Sequence, residues 1–204
     1  FGIDRTGTDV LVSTADLEEQ LTALHDSGYV TITQQDVIDY YEKGKALPDK
    51  ALLLVFEDGR TDTAIFSQPI MERENYIASM CSYGSNLTSR DSKMLKGEDL
   101  VSLEKSSFWE NGTNGYRLSY INVFDRYDRF LGEMNSLEYN AVKGYLGREY
   151  NHYLMDYLRD ENYMPIESYG AMKERISYDY ELMEKVYTEE LGYVPGLYIL
   201  MHSN

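Results

Sequence analysis

The chain is short of basic residues, nearly without cysteine, and has no long apolar run. Lys and Arg number 19 against 35 Asp and Glu, for a formal net charge of −16. Such a chain repels phosphate backbones, and no Lys/Arg cluster stands out along it, so nucleic acid is not an expected partner. The one cysteine, Cys81, can form no internal disulfide and excludes zinc held by cysteines. It does not fix the compartment. The longest apolar runs, Ala51 to Phe56 and Leu197 to Met201, fall far short of the roughly 20 residues of a membrane helix. Membrane insertion within this chain is therefore not expected. No charged start followed by an apolar stretch marks a signal peptide. The chain opens abruptly at Phe1-Gly2, which fits a processed or trimmed N-terminus.

What remains is ordinary in bulk. With 204 residues, 43% hydrophobic and 26% charged, the chain is long enough for one domain, 1–204, with a sizeable core. It shows no internal repeat and no low-complexity linker, and nothing indicates an oligomer. Tyrosine is the unusual count, at 20, most of them from Tyr116 onward. A tyrosine offers a flat apolar face and a polar tip. That chemistry suits sugar stacking, a protein interface, or half-buried helix positions.

The first half alternates helix and strand. Ser13 can cap a helix carrying Leu17, Leu21 and Leu24, with Gly28 as its stop. Thr33 can cap a second helix that ends at Gly44. Ala51 to Phe56 reads as one strand buried on both faces of a parallel sheet. Helices over about 61–73 and 98–106 and strands at 76–82 and Phe108-Trp109 complete a β-α-β-α order, the mark of an α/β fold. The second half differs. A helical insertion is expected over about 119–165, with one candidate helix from Glu138 to Arg159. Ser168 can cap a long helix from Tyr169 to Leu191, with Gly192 as its stop, before a last buried strand, Leu197 to Met201.

In parallel α/β folds, ligands gather outside the carboxyl ends of the strands. Three ends carry usable groups here: Glu57-Asp58, the stretch Glu110 to Asn114, and His202. Glu57 and Asp58 are neighbours on a strand-to-loop turn, so their side chains point to opposite sides. One can face a metal or substrate while the other acts as a base. The alternative is that both favour the N-terminus of the next helix.

From Val12 to Leu87 the chain resembles the polysaccharide deacetylases of carbohydrate esterase family four. The residues that carry the resemblance are Val12-Ser13 with Leu17 and Gln20-Leu21, then Leu24 with Gly28-Tyr29, then Thr33 with Asp36-Val37. Lys45-Ala46-Leu47-Pro48-Asp49-Lys50-Ala51 and Val55-Phe56-Glu57-Asp58-Gly59 follow in order. The resemblance implies a distorted (β/α) barrel that removes acetyl groups from chitin-like or peptidoglycan sugars with a divalent metal. It places Glu57 at the general-base position, where the family has Asp, and Asp58 at a metal-ligand position. The family's second motif, two histidines four residues apart, corresponds here to Asn114 and Leu118.

Leu118 cannot bind a cation, and Asn114 offers only a neutral carbonyl oxygen. Asp58 is then the single good metal ligand. The expectation is no tightly bound transition metal, although a hard divalent ion such as magnesium or calcium can bind loosely. Leu200-Met201-His202 fits the family's last motif, in which the histidine serves as an acid. The helix-then-strand order before it also fits the third motif, and on that alignment the chain stops before the barrel's last strands. Arg60, Trp109, Asn114, Tyr116 and Arg117 are the expected substrate-binding residues, and Glu57, Asp58 and His202 the catalytic ones. The implied function is a carbohydrate-active hydrolase of cell-wall or extracellular glycan, in a bacterial, extracellular or cell-surface setting. The alternative is a non-catalytic glycan-binding module on a degenerate deacetylase fold.

Overall fold

Ser13 shows how local chemistry sets the first elements. In the computed structural model, which describes residues 2–8, 11–147 and 151–200, it ends β2 (Leu11–Ser13), which runs parallel to β1 (Gly2–Asp4). The Ser13 hydroxyl accepts the Asp16 N–H at 3.0 Å, so α1 starts at once and spans Thr14–Asp26. It buries Leu17 and Leu21, and the chain turns away at Gly28 with φ of 81°. After β3 (Val30–Thr31), Thr33 and Asp36 form a reciprocal capping box for α2 (Gln34–Lys43). Gly44 ends that helix in the left-handed region, where glycine is favoured.

The run Ala51 to Phe56 is not one strand. It divides into β4 (Ala51–Leu52), parallel to β3, and β5 (Val55–Phe56), parallel to β6 (Ala78–Ser82). Between them the backbone changes partner: Ile32 N–H donates to the Leu52 carbonyl, and Ser79 N–H to that of Leu54, at 3.0 and 2.9 Å. An all-apolar run satisfies either neighbour, so composition gave no sign of the switch. Helix α3 (Thr61–Glu74) links β5 to β6. The short α4 (Gly84–Leu87) and α5 (Gly97–Leu103) lead to β7 (Trp109–Thr113), parallel to β6. The expected strand Leu197 to Met201 appears as a single parallel bridge between Tyr198 and Thr113. Its hydrogen bonds are Thr113 N–H to the Leu197 carbonyl at 2.8 Å and Ile199 N–H to that of Thr113 at 2.9 Å. Met201 lies outside the described residues. β5, β6, β7 and Tyr198 thus form one parallel series.

The chain divides into two compact units, 1–114 with 186–199, and 115–185 with 200–204. In the second, the expected helical insertion is largely sheet. β8 (Ser119–Phe124) is central between β10 (Asn151–His152) and β9 (Phe130–Asn135), all antiparallel. The only α-helix among the described residues of 119–165 is α6 (Ser136–Val142), followed by a 3₁₀ turn at Lys143–Tyr145. Physical reasons are plain in retrospect. β8 is buried throughout, and β9 alternates half-buried with exposed, the period of a strand. Helix α7 (Tyr169–Leu191) begins where Ser168 accepts the Ala171 N–H at 3.2 Å.

A polar network organises the second unit. Asn122 sits in β8 with φ of 61°, at a register shift, and its side chain holds the following loop through the Tyr157 carbonyl and the Arg159 N–H, each at 2.8 Å. The Asp156 carboxylate accepts from Asn122, Asn151, Arg159 and the Tyr157 N–H. Burial opposes its ionisation, but the Arg159 and Tyr157 bonds win and hold the carboxyl below its ordinary range. A carboxyl with a depressed native pKa stabilises above its unfolded value and loses that contribution as pH falls through the native one. Asp156→Ala is expected to destabilise the chain by about 2–4 kcal/mol at neutral pH. Urea denaturation should show the gap closing below about pH 4, the unperturbed carboxylate range.

Candidate active site

The site begins where β5 ends. Glu57 follows the strand, and Asp58 and Gly59 then turn the chain with φ of 71° and 61°. Two successive left-handed residues are tolerable here because the first is Asp and the second Gly. Gly59 is also a steric necessity: a Cβ would stand 2.5 Å from the Cβ of Ser82 and 3.1 Å from its Cα. Arg60 returns to extended backbone and opens α3. The segment after α4 braces this turn, with Leu95 N–H donating to the Gly59 carbonyl at 2.8 Å and Thr61 N–H to that of Lys93 at 2.9 Å.

Asn114 holds the turn from the other side. It is 1% exposed. Its Oδ1 accepts the Asp58 N–H at 3.1 Å, its Nδ2 donates to the Ile199 carbonyl at 3.1 Å, and its own N–H donates to the Ser82 carbonyl at 2.8 Å. Both ends of the amide are committed to backbone. The Ser82 carbonyl also accepts from the Tyr187 hydroxyl at 2.6 Å. Tyr187 is fully buried on α7, and its phenol is pushed up to about 12 by that burial. Neither Ser82 nor Tyr187 was singled out from the sequence. The signal was there for Tyr187, which lies one position past Val186, the last of the apolar period Met172, Ile176, Tyr180, Met183 and Val186.

The electrostatics make Glu57 a tighter proton binder than an ordinary glutamate. Its side chain is half-buried, and its carboxyl lies above the ordinary glutamate range, first because of burial and second because of the charge on Asp58. The Cys81 thiol is pushed up to about 12 by burial, with the Glu57 charge adding to the shift. On β7, Glu110 is half-buried too. It accepts the Gln34 N–H at 2.9 Å, while Gln34 bonds Ser79 and the Asn111 carbonyl at 3.0 Å each. Glu110 is in register with Ser79 and Val55 across the sheet, and Val55 lies two residues before Glu57.

The remaining expected residues are dispersed. Arg60 does not reach Glu57 in the bonds it makes; it pairs with Asp62 through Nε at 2.9 Å and through Nη2. Trp109 is 3% exposed, with its indole N–H on Gln68 and its ring 5.6 Å from that of Phe56. That ring is part of the core rather than a solvent-facing platform. Tyr116 and Arg117 belong to the second unit. There Arg117 lies between the rings of Tyr116 and Tyr153, at 5.4 and 4.8 Å, and donates to the buried Asp179 at 2.7 Å. His202 lies outside the described residues.

These donors are a poor set for a metal of the kind the resemblance implies. Asn114 has its amide oxygen on the Asp58 N–H and its amide nitrogen on a carbonyl. Leu118 has no donor atom. Among the described residues no group of three or more His, Cys, Asp or Glu side chains is placed to hold an ion. The residues present do not fit a zinc-like site, which needs three protein ligands of nitrogen, sulfur or carboxylate type.

No family model matches the chain. The poly-β-1,6-N-acetyl-D-glucosamine N-deacetylase of Escherichia coli K12 is 31% identical over 102 residues, covering 48% of this chain and 15% of that protein. Among solved structures, the de-N-acetylase of Aggregatibacter actinomycetemcomitans aligns with a TM-score of 0.66 at 18% identity, over 95% of this chain and 74% of that one. The BpsB deacetylase domain of Bordetella bronchiseptica gives 0.65 at 15% identity, over 96% and 71%. This chain is thus similar to polysaccharide deacetylases in sequence and shares their α/β fold. The match spans only a small part of the curated relative's length.

Two outcomes follow from the geometry of the turn. Gly59→Ala places a Cβ against Ser82 and forces it into left-handed backbone, so it should cost about 2–4 kcal/mol, read as a lower thermal midpoint. Glu57→Gln should do the opposite. The native carboxyl is raised above its unfolded value, so the folded state binds the proton more tightly and stability falls as pH climbs through the native value. Removing the charge should raise the midpoint at neutral pH, and the gain should vanish below about pH 4, in scans across pH.

Proposed function

We propose that the chain is a polysaccharide deacetylase-like protein acting on an N-acetylated cell-wall or extracellular glycan, with Glu57 as its proton-transferring group. The observation that carries this reading is the raised, half-buried Glu57 carboxyl at the carboxyl end of a parallel strand. Its fold relatives, named as de-N-acetylases, support the substrate class. Hydrolysis of an acetamide needs a base to take a proton from the attacking water and an acid to give one to the departing amine. A carboxyl raised toward neutrality can do both in turn. Asp58, held by Asn114 through its backbone, keeps a negative charge beside Glu57 and so maintains its basicity. His202 is the residue that the resemblance makes the acid. No step here runs through a metal, because the described donors do not fit a zinc-like site. The proposed setting is a bacterial cell surface or the space outside the cell, which the polysaccharide named for the Escherichia coli relative supports. Among the described residues no helix is long and apolar enough to cross a membrane.

A second reading has its own support. With both ends of Asn114 bound to backbone, the side chain that would help seat a carbonyl-polarising cation is a structural crosslink instead. That favours a protein that holds glycan without turnover. The deciding experiment uses acetylated chito-oligosaccharide and poly-β-1,6-N-acetylglucosamine, with chelator, with added zinc, and with neither. Acetate release that chelator leaves unchanged and that Glu57→Gln reduces at least about 100-fold is the expected result, in line with the usual contribution of a general base. Glycan binding by calorimetry with no acetate produced under any condition would establish the second reading.

A further inference from the structure

We propose a second binding site, independent of Glu57, at the hairpin tip of the second unit, and that its ligand is an anionic polysaccharide. The tip joins β8 to β9 and is rigid by construction. The Asp125 carboxylate accepts the Tyr127 N–H at 2.8 Å, the Arg129 N–H at 2.9 Å and the Arg129 Nε–H at 2.6 Å. The strand end is tied to the 3₁₀ turn by Arg126 N–H donating to the Tyr145 carbonyl at 2.7 Å, and by Gly147 N–H donating to that of Phe124 at 3.1 Å. A Cβ on Gly147 would lie 2.6 Å from the Arg126 Cα, so only glycine permits this approach.

On this frame four side chains form an alternating column. The Arg126 guanidinium lies 5.0 Å from the Tyr127 ring centre and 5.1 Å from that of Tyr145, and Arg129 lies 5.8 Å from the Tyr127 ring. Arg126 Nη2 also donates to the Tyr127 hydroxyl at 2.9 Å. The column is nevertheless open to solvent: Tyr127 is 66% exposed, Tyr145 59%, and the Arg129 side chain 75%. Asp125 is consumed by Arg129, and Asp128 is the tip's other carboxylate. Among the described residues no carboxylate forms an ion pair with the Arg126 guanidinium.

Charge and shape then select the ligand. The chain carries −16 overall, which works against an acidic polymer, and Asp125 and Asp128 balance Arg126 and Arg129 in number, so recognition here rests on the exposed Arg126 guanidinium itself and not on a positive field. A guanidinium close to two rings and bonded to a tyrosine hydroxyl has less side-chain freedom to lose when its remaining N–H groups meet a carboxylate or phosphate. Tyrosines beside it offer apolar rings and hydroxyls to the adjoining sugars. A point charge alone would not need the rings, and a neutral sugar would not need the guanidinium.

The test uses polygalacturonate oligomers and their methyl esters, which share a backbone and differ in charge, with calorimetry at low and moderate salt. The expected result is binding of the acid form that weakens with salt and is at least about tenfold weaker for the ester, the size of one lost charge-assisted bond. Arg126→Ala should weaken it by a similar factor with an unchanged thermal midpoint, and Arg126→Lys should recover little, since it restores charge without the fork. Tyr145→Leu should also weaken it. Equal binding by Arg126→Ala, equal binding of acid and ester, or no binding at low salt overturns the proposal. So does equally tight binding of inorganic polyphosphate or anionic lipid vesicles, which would reduce the site to a plain anion contact. None of these readings uses acetate release, so they stand or fall apart from the role of Glu57.

Discussion

The carbonyl of Ser82 is the point on which the first unit turns. At the end of a fully buried strand, a carbonyl with no partner costs more than most contacts contribute. Here it accepts from the Asn114 N–H and the Tyr187 hydroxyl, so the residue that follows β7 and a side chain of the last helix both bond to it. The side chain of the same residue sets the clearance that makes Gly59 obligatory. The acidic turn, the end of β7 and the final bridge at Tyr198 are therefore placed by one crowded layer. The role proposed for Glu57 inherits its geometry from that layer rather than from the residues beside it in sequence.

The two units reach order by different means. The first stacks parallel strands under helices and relies on apolar burial, with Met71, Met80 and Leu100 essentially inaccessible. The second is stitched by hydrogen-bonded charges: Arg175 reaches the carbonyls of Tyr153 and Asp156 and pairs with Glu167, while Arg159 pairs with Asp156. Such bonds contribute little net stability compared with burial, but they are directional, and removing one partner strands the other. Much of the tyrosine excess belongs here. Rings of Tyr116, Tyr153 and Tyr163 lie against guanidinium planes, a use that explains the count without requiring sugar at each one.

How far the fold was legible depended on the range of the determining contact. Ser13, Thr33, Gly44 and Ser168 mark helix ends by bonds within a few residues, and each was readable. The division of Ala51–Phe56 was not, because both halves are apolar and only their distant partners differ. The insertion misled for a similar reason: Tyr, Asn and Asp obscure the strand period of β9, and β8 carries a bulge at Asn122 that breaks its register. At the site, the resemblance located Glu57, Asp58 and Asn114 together, and the structure joins Asp58 to Asn114 directly. It could not reveal that Asn114 works as a crosslink, that Trp109 faces the core, or that Arg60 is occupied by Asp62. Those facts depend on which atoms a side chain meets, and residue type alone does not specify that.

Cys81 has a practical meaning of its own. Its thiol is inaccessible and pushed up to about 12, so essentially none of it is thiolate at neutral pH in the folded chain. Alkylating reagents react with thiolate, and only where they can reach it. Modification must then wait for β6 to leave its neighbours, the same strand whose end holds Ser82. With one cysteine in the chain, the kinetics of labelling at that sulfur clock the opening of the central strand, separately from any loosening in the second unit.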